Sequence, residues 1–305
     1  MRENSQPRSP GRRARYWSIG VYGARSPFHL FPHPDAHNPV LTCASVTDVP
    51  AMLVADPFMV SRCGVWFMFF EVINGNSRKG EIALATSSDG ISWGYDRIVL
   101  SEPFHLSYPY VFAHDGNYYM IPETRQAGSV RLYKATFFPH EWRYHSTLID
   151  LDGTDPSIFC YQDRWWMFLC APPAGNASLK LYNADELAGP WVEHPNSPIV
   201  RSDPSIARPA GRAIVHDGSV IRYAQDCCPD YGLRVRAFEV SQLTPSAYRE
   251  TESRFSPVLN RAASGWNRGG MHHVDLHPFH GSWIACVDGW YSSSRHGPRS
   301  RGVRR

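Results

Sequence analysis

The sequence predicts an all-β fold: a five-bladed β-propeller with four-stranded antiparallel blades around a central channel. Three observations predict it. One phrase recurs five times at a period of roughly 50 residues, the spacing of propeller blades or arrays. Each copy runs from a short apolar segment through a turn into an aromatic-rich second segment. Long helical periodicity is missing throughout, while runs of aromatic and β-branched residues bounded by Gly or Asp turns are frequent.

Tyr16–Tyr22 reads as a short strand that pairs with the last blade, closing the ring and removing exposed sheet edges. Phe28–Pro39, rich in Pro and His, reads as a loop. The first strand of each copy follows: Asp56–Val60, Tyr108–Phe112, Asp155–Phe159, Arg208–Arg212 and, without the Pro, His272–Leu276. Second strands are Trp66–Glu71, Tyr118–Glu123, Trp165–Cys170, Val220–Asp226 and Ser282–Asp288. The turns before three of them, at 114–117, 161–164 and 216–219, carry hairpin chemistry, Asp-Gly most clearly. Third strands are Glu81–Thr86, Val130–Ala135, Leu179–Ala184 and Leu233–Phe238, and the fifth copy looks short of its outer strands. Residues 16–292 are read as one propeller domain, with a disordered basic lead over 1–15 and an Arg-rich disordered tail over 293–305.

Composition excludes several function classes. Net charge is +3 and concentrated at the two ends, so no basic face with interleaved aromatics exists for nucleic acid. The start lacks an apolar signal segment, and no run of apolar residues is long enough to span a membrane. Seven cysteines without metal-ligand spacing suggest free thiols in a reducing compartment, and the expected location is cytoplasmic.

A propeller gathers the first residues of its inner strands around one channel. Pro at a strand start is tolerated because its missing N–H need not join the ladder, and the residue before it is expected to be extended. Asp56 and Asp155 would then face each other across a funnel, the arrangement of paired carboxylates that glycoside hydrolysis uses. Tyr108, Arg208 and His273 join them in register as substrate contacts. Glu71, Glu123, Asp226 and Asp288 end their strands at one level; Glu123 and Asp226 are the better catalytic candidates, the other two weigh equally as backbone partners. His272 and His273, adjacent on a strand, would point to opposite faces, with His273 and Asp275 sharing one. A His-x-Asp pair is too small to claim a metal, so no cofactor is assigned and a channel ion stays open. Arg208 and Arg212 flank a small Ala-Gly step, and Arg reads carboxylate or phosphate with paired donors, which would suit a sugar with an anionic group.

The phrases Val54–Met59, Phe104–Phe112, Tyr119–Thr124, Ala207–Arg212 and Gly270–Asp275 resemble the N-terminal domain of plant glucosamine inositolphosphorylceramide transferases and its bacterial relatives, over about residues 16–290. The resemblance implies a five-bladed propeller similar to the arabinanase and invertase superfamily of glycoside hydrolases. It implies a general base at Asp56 and a tuning carboxylate at Asp155. The general-acid Glu expected at the head of the fourth inner strand is replaced by Ala207-Arg208-Pro209, and Arg cannot give up a proton. Glu123 or Asp226 would have to supply the acid. In the plant proteins the domain precedes a separate glycosyltransferase domain, which this sequence does not reach, so transferase activity is not expected here. Two functions follow: a carbohydrate-active propeller of hydrolase type acting on or binding a glycan or sugar conjugate, or a non-catalytic sugar-recognition module that serves a glycosyltransferase.

Overall fold

The recurring phrase folds into hairpins. The structure, a computed structural model, describes residues 14–171 and 175–292. The basic lead expected over 1–15 lies outside the described residues except for Ala14 and Arg15, and the tail expected over 293–305 lies wholly outside them. Two strands come first, β1 (Arg15–Ala24) and β2 (Leu30–Pro32). The first blade holds β3 (Ala51–Arg62), β4 (Val65–Asn74), β5 (Gly80–Ser87) and β6 (Gly94–Leu100). The second holds β7 (Ser107–His114), β8 (Asn117–Glu123), β9 (Val130–Phe137) and β10 (Glu141–Ile149). The third holds β11 (Thr154–Tyr161), β12 (Arg164–Cys170), β13 (Leu179–Ala184) and β14 (Val192–Glu193). In the fourth the inner strand is broken into β15 (Arg208–Pro209) and β16 (Ile214–His216), followed by β17 (Ser219–Asp226), β18 (Arg234–Thr244) and β19 (Ala247–Glu252). The fifth has β20 (Val274–Phe279) and β21 (Ser282–Ser292) on its inner side. The five antiparallel sheets are the blades of a five-bladed β-propeller.

All five inner hairpins turn on two residues with positive φ: Cys63-Gly64, Asp115-Gly116, Gln162-Asp163, Asp217-Gly218 and His280-Gly281. Positive φ at both central positions matches the right-handed twist of the flanking strands. The fifth blade is not short of strands. β1 lies along β21, with Ile19 opposite Asp288, and β2 completes the sheet outside it. Leu30–Pro32 therefore leaves the expected loop to become that outer strand. The pairing joins strands from opposite ends of the described chain, which local pattern cannot reveal.

Apolar clusters fill the wedges between blades. Ile19, Val21, Met59, Met68 and Ile284 join the fifth blade to the first. Tyr223, Val235, Val274 and Leu276 join the fourth to the fifth. Near the channel each sheet is covered on both faces, so strands such as β4, β7 and β12 read as continuous apolar runs, while outer strands such as β10 and β19 are largely exposed. Among the described residues, no helix is long and apolar enough to cross a membrane.

If ring closure rests on β1, Ile19→Ala, at a fully buried position, should lower unfolding free energy by about 2–4 kcal/mol in a denaturant titration. Val215→Ala, at a position 46% exposed, should change it by less than about 0.5 kcal/mol.

Candidate functional site

Three blade heads share an unusual backbone. Asp56, Tyr108 and Asp155, each directly before a proline, have φ of 52°, 47° and 51°. The extended conformation expected for them is therefore corrected. Strand register slips at each point, between Ala55 and Phe58, Ser107 and Tyr110, and Thr154 and Ser157. These are bulges, which re-aim side chains and cluster near functional sites. A left-handed L-residue costs about 1–2 kcal/mol. Strain repeated at three equivalent positions points to use rather than accident.

The first bulge is held from the fifth blade. The Asp56 N–H donates to Asp288 Oδ2 at 3.0 Å. Pro57 has no N–H to satisfy, and its carbonyl accepts from His273 Nε2 at 2.9 Å and Cys286 Sγ at 3.0 Å. Since a carbonyl only accepts, Nε2 of His273 carries hydrogen and Nδ1 is a bare acceptor in the neutral ring. That Nδ1 has no partner and lies 3.8 Å from Asp56 Oδ1. Burial pushes His273 down to about 4, so the ring is neutral at ordinary pH. His272 Nδ1 bonds Asp288 Oδ1 at 2.7 Å, leaving Nε2 3.6 Å from Asp56 Oδ1. The two histidines precede β20 rather than lying within it, and both turn toward Asp56 instead of toward opposite faces. Asp288 sits below the usual carboxylate range; burial is the largest influence and would raise it, but His272, His273 and the Asp56 N–H together outweigh burial. The Asp56 carboxyl goes the other way, well above that range, through burial first and then the charges of Glu71, Asp155 and Asp288.

Asp155 is 1% exposed and gripped by Arg208, Nε to Oδ2 at 2.5 Å and Nη2 to Oδ1 at 3.2 Å. Gln225 Nε2 adds a bond to Oδ2 at 2.7 Å. The other guanidinium nitrogen of Arg208, Nη1, bonds Asn176 Oδ1 at 2.9 Å, and the guanidinium lies over the Tyr231 ring at 5.2 Å. Glu123 Oε2 lies 3.6 Å from Arg208 Nη2 yet makes no hydrogen bond. Burial, reinforced by Asp155, pushes Glu123 up to about 8. Beside it, His105 Nδ1 accepts the Gly80 N–H at 2.9 Å and Nε2 lies 3.2 Å from Glu71 Oε1. The bond to Glu71 raises His105 above its ordinary value.

The remaining expected site residues are engaged in contacts with the backbone and with other side chains. Tyr108 is fully buried, its hydroxyl bonded to Ser157 Oγ and to both backbone groups of Gly211. Gly211 has φ of 124°, and a Cβ there would stand 1.8 Å from the Val274 carbonyl oxygen. Arg212 spans blades: Nε meets Asp275 Oδ1 at 2.7 Å and Nη2 donates to the Val111 carbonyl at 2.8 Å. Asp275 does not orient His273 as expected. Its Oδ2 accepts the Met59 N–H at 2.6 Å and pairs with His277 Nε2 at 2.8 Å. Tyr108, Arg212 and Asp275 thus tie the inner strands together. Asp226 pairs with Arg234 Nε at 3.0 Å and takes the Cys228 N–H at 3.0 Å, which engages both its oxygens.

Ligand atoms of Asp56, His272 and Asp288 lie within 4.8 Å of one another, a spacing a metal ion could use. The chemistry fits poorly, because Asp288 already accepts the N–H groups of Asp56 and His272 and the His272 ring.

Residues 13–290 match the family model described as glucosamine inositolphosphorylceramide transferase 1, N-terminal. The chain belongs to this family. The glucosamine inositolphosphorylceramide transferase 1 of Oryza sativa subsp. japonica is 36% identical, with 90% of this chain and 40% of that protein aligned. The chain thus spans about 40% of the length of that relative. A glycosyl hydrolase from Bacteroides ovatus shares the fold at a TM-score of 0.63 and 12% identity, covering 90% of this chain and 97% of its own. The catalytic domain of the Coprinopsis cinerea GH62 α-L-arabinofuranosidase shares it at 0.59 and 12%, with 90% and 97% covered. The family supports a carbohydrate-related role, and these neighbours show the fold.

In this member of the transferase 1 N-terminal family, the structure brings together Asp155, Glu123 and Arg208, and Asp56 with both histidines, all of them candidates from the sequence. Sequence reasoning missed His105, Gln225, Asn176 and Tyr231, and it undervalued Glu71 and Asp288. The shared strand-end level of Glu71 and Asp288 was a usable signal; the other four carried none.

Replacing Arg208 by Met should strand the Asp155 carboxylate in a buried site and cost about 3–5 kcal/mol by chemical denaturation. Adding Asp155→Asn should restore most of that loss. A second outcome concerns pH. Glu123 binds its proton more tightly folded than unfolded, so its contribution to stability is intact below about 4.5 and falls as pH rises toward about 8. Melting temperature should therefore fall across that window, with a shallower slope in Glu123→Gln.

Proposed function

We propose that the funnel binds a glycan, or the sugar part of a conjugate, and holds it without cleaving it. One observation carries this reading: the place expected for the proton donor is taken by Arg208, which is ion-paired to Asp155. Acid–base cleavage needs one charged and one protonated carboxyl with separated proton affinities. Here Asp56 and Glu123 are both pushed upward. The layout of a hydrolase remains, with carboxyls converging on one channel, while the expected proton donor is replaced by an arginine. The rice relative is named a transferase, and the chain matches only 40% of it, which supports a sugar-recognition role beside a glycosyltransferase. The seven cysteines are free, and a cytoplasmic location fits them.

A second reading, cleavage through Glu123, is favoured by the proton that residue holds up to about 8. The two readings separate in one experiment. On a broad glycan array the protein should show saturable binding that weakens at least about tenfold, one charge-assisted hydrogen bond, in Asp155→Ala and Arg208→Ala. Bound glycans should be recovered intact. Sugar release that disappears in Glu123→Gln would establish cleavage instead, and binding unchanged in both alanine variants would remove the funnel from consideration.

A further inference from the structure

A second cavity opens beside the channel head. It holds about 610 Å³ and lies where β1 and β21 meet residues 39–44 and 265–268. That volume is within the range of small-ligand sites. The two strands run antiparallel, with Tyr16 opposite Tyr291 and Ser18 opposite Gly289. Alternation puts Tyr16, Ser18 and Gly20 on one face of β1. There the Tyr16 and Tyr291 rings stack at 5.2 Å and 21°. The six-membered ring of Trp266 rests on the backbone beside them. A Cβ at Gly20 would stand 2.6 Å from its Cζ2, and one at Gly289 2.9 Å from its Cζ3, so this seat requires both glycines. Tyr16 nevertheless keeps 46% of its surface exposed. Aromatic rings clustered around a cavity and left in contact with water, rather than folded into the core, are surface held ready for a ligand.

We propose that this cavity is a second sugar subsite, which stacks a neutral pyranose unit of the same glycan that enters the channel head; the inference rests on the sugar-binding reading. The C–H face of a pyranose covers an aromatic ring while its hydroxyls point outward. Thr42 stands at the rim to meet them: its Oγ1 accepts the Ala44 N–H at 3.2 Å and keeps its own hydrogen to donate. Charge argues for a neutral unit. Among the described residues that border the cavity there is no Asp or Glu. The bordering Arg268 lies over the Tyr291 ring at 4.9 Å and donates Nη2 to the Ser292 carbonyl at 3.0 Å, so a cationic ligand would compete for a ring already used. An anion would find an exposed guanidinium screened by solvent. Two connections join the cavity to the channel head. Trp17 turns to the other face of β1 and sets its ring 4.3 Å from His272. The loop that brings in Trp266 continues into His272 and His273, beside Asp56. A ligand that reaches both places has several sugar units, so the protein recognises a glycan chain rather than a single sugar.

The test is calorimetric titration of the whole chain with neutral cello-, xylo- and arabino-oligosaccharides, from monosaccharide to hexasaccharide, and with oligoproline. In at least one series the hexasaccharide should bind at least about tenfold more tightly than the monosaccharide, the scale of covering one ring's apolar surface. The gain should persist in high salt. Tyr16→Ala should remove most of it and Tyr16→Phe should retain it, both with the wild-type melting profile. Arg208→Ala should weaken the whole series, monosaccharide included. Absent binding, no dependence on length, or an unchanged gain in Tyr16→Ala would overturn the second subsite, and the channel site would stand if glycans on the array still bind. A gain abolished by salt would overturn the neutral unit. Oligoproline binding that is lost in Tyr16→Ala, and that no sugar displaces, would replace the subsite with a peptide groove. Failure of every sugar here and on the array would overturn the sugar reading and the second subsite together.

Discussion

Everything at the channel head depends on one backbone event: a left-handed residue placed directly before proline. At Asp56 and Asp155 it lifts a carboxyl off the strand ladder and turns it inward. The proline is essential to the economy of the arrangement, since a bulge leaves backbone groups unpaired and proline removes one donor outright. What remains at the first bulge is satisfied by Asp288, His273 and Cys286 of the neighbouring blade. The site therefore requires the ring to be assembled, because the partners that stabilise each strained head come from elsewhere in the chain.

Electrostatics at the head follow from the same crowding. Several buried carboxyls converge, and the protein handles them differently. Asp155 and Asp288 are matched by cations or N–H donors, whereas Asp56 and Glu123 are left to hold protons. A single exchange, arginine at position 208 where the hydrolase superfamily is expected to have its acid, determines much of this. A glutamate there would add a further charge beside Asp155; the arginine neutralises it and locks its orientation through a two-pronged contact.

Much of the fold was legible because its signals are local. Asp115-Gly116 and Asp217-Gly218 announce tight turns in their own chemistry, and the aromatic second strands stand out without reference to anything distant. Asp56 and Asp155 were found because Pro marks the blade heads. The errors share a cause. The outer strands of the fifth blade, the orientation of His272 and His273 and the partner of Asp275 are all set by pairings between remote segments, such as Ile19 with Asp288. Gln225, Asn176 and Tyr231 matter only because Arg208 and Asp155 meet between the third and fourth blades. No spacing rule encodes such a meeting.

The strand β1 has a consequence for biosynthesis. It is made early but finds its neighbour β21 only after nearly all the described chain has been synthesised. Until then the fifth sheet cannot be completed, and the edge of β1 that meets β21 stays open. Such long-range closure makes assembly slow and leaves the nascent chain vulnerable to self-association. Cells producing this protein would be expected to shield that early segment with a chaperone until the last hairpin emerges.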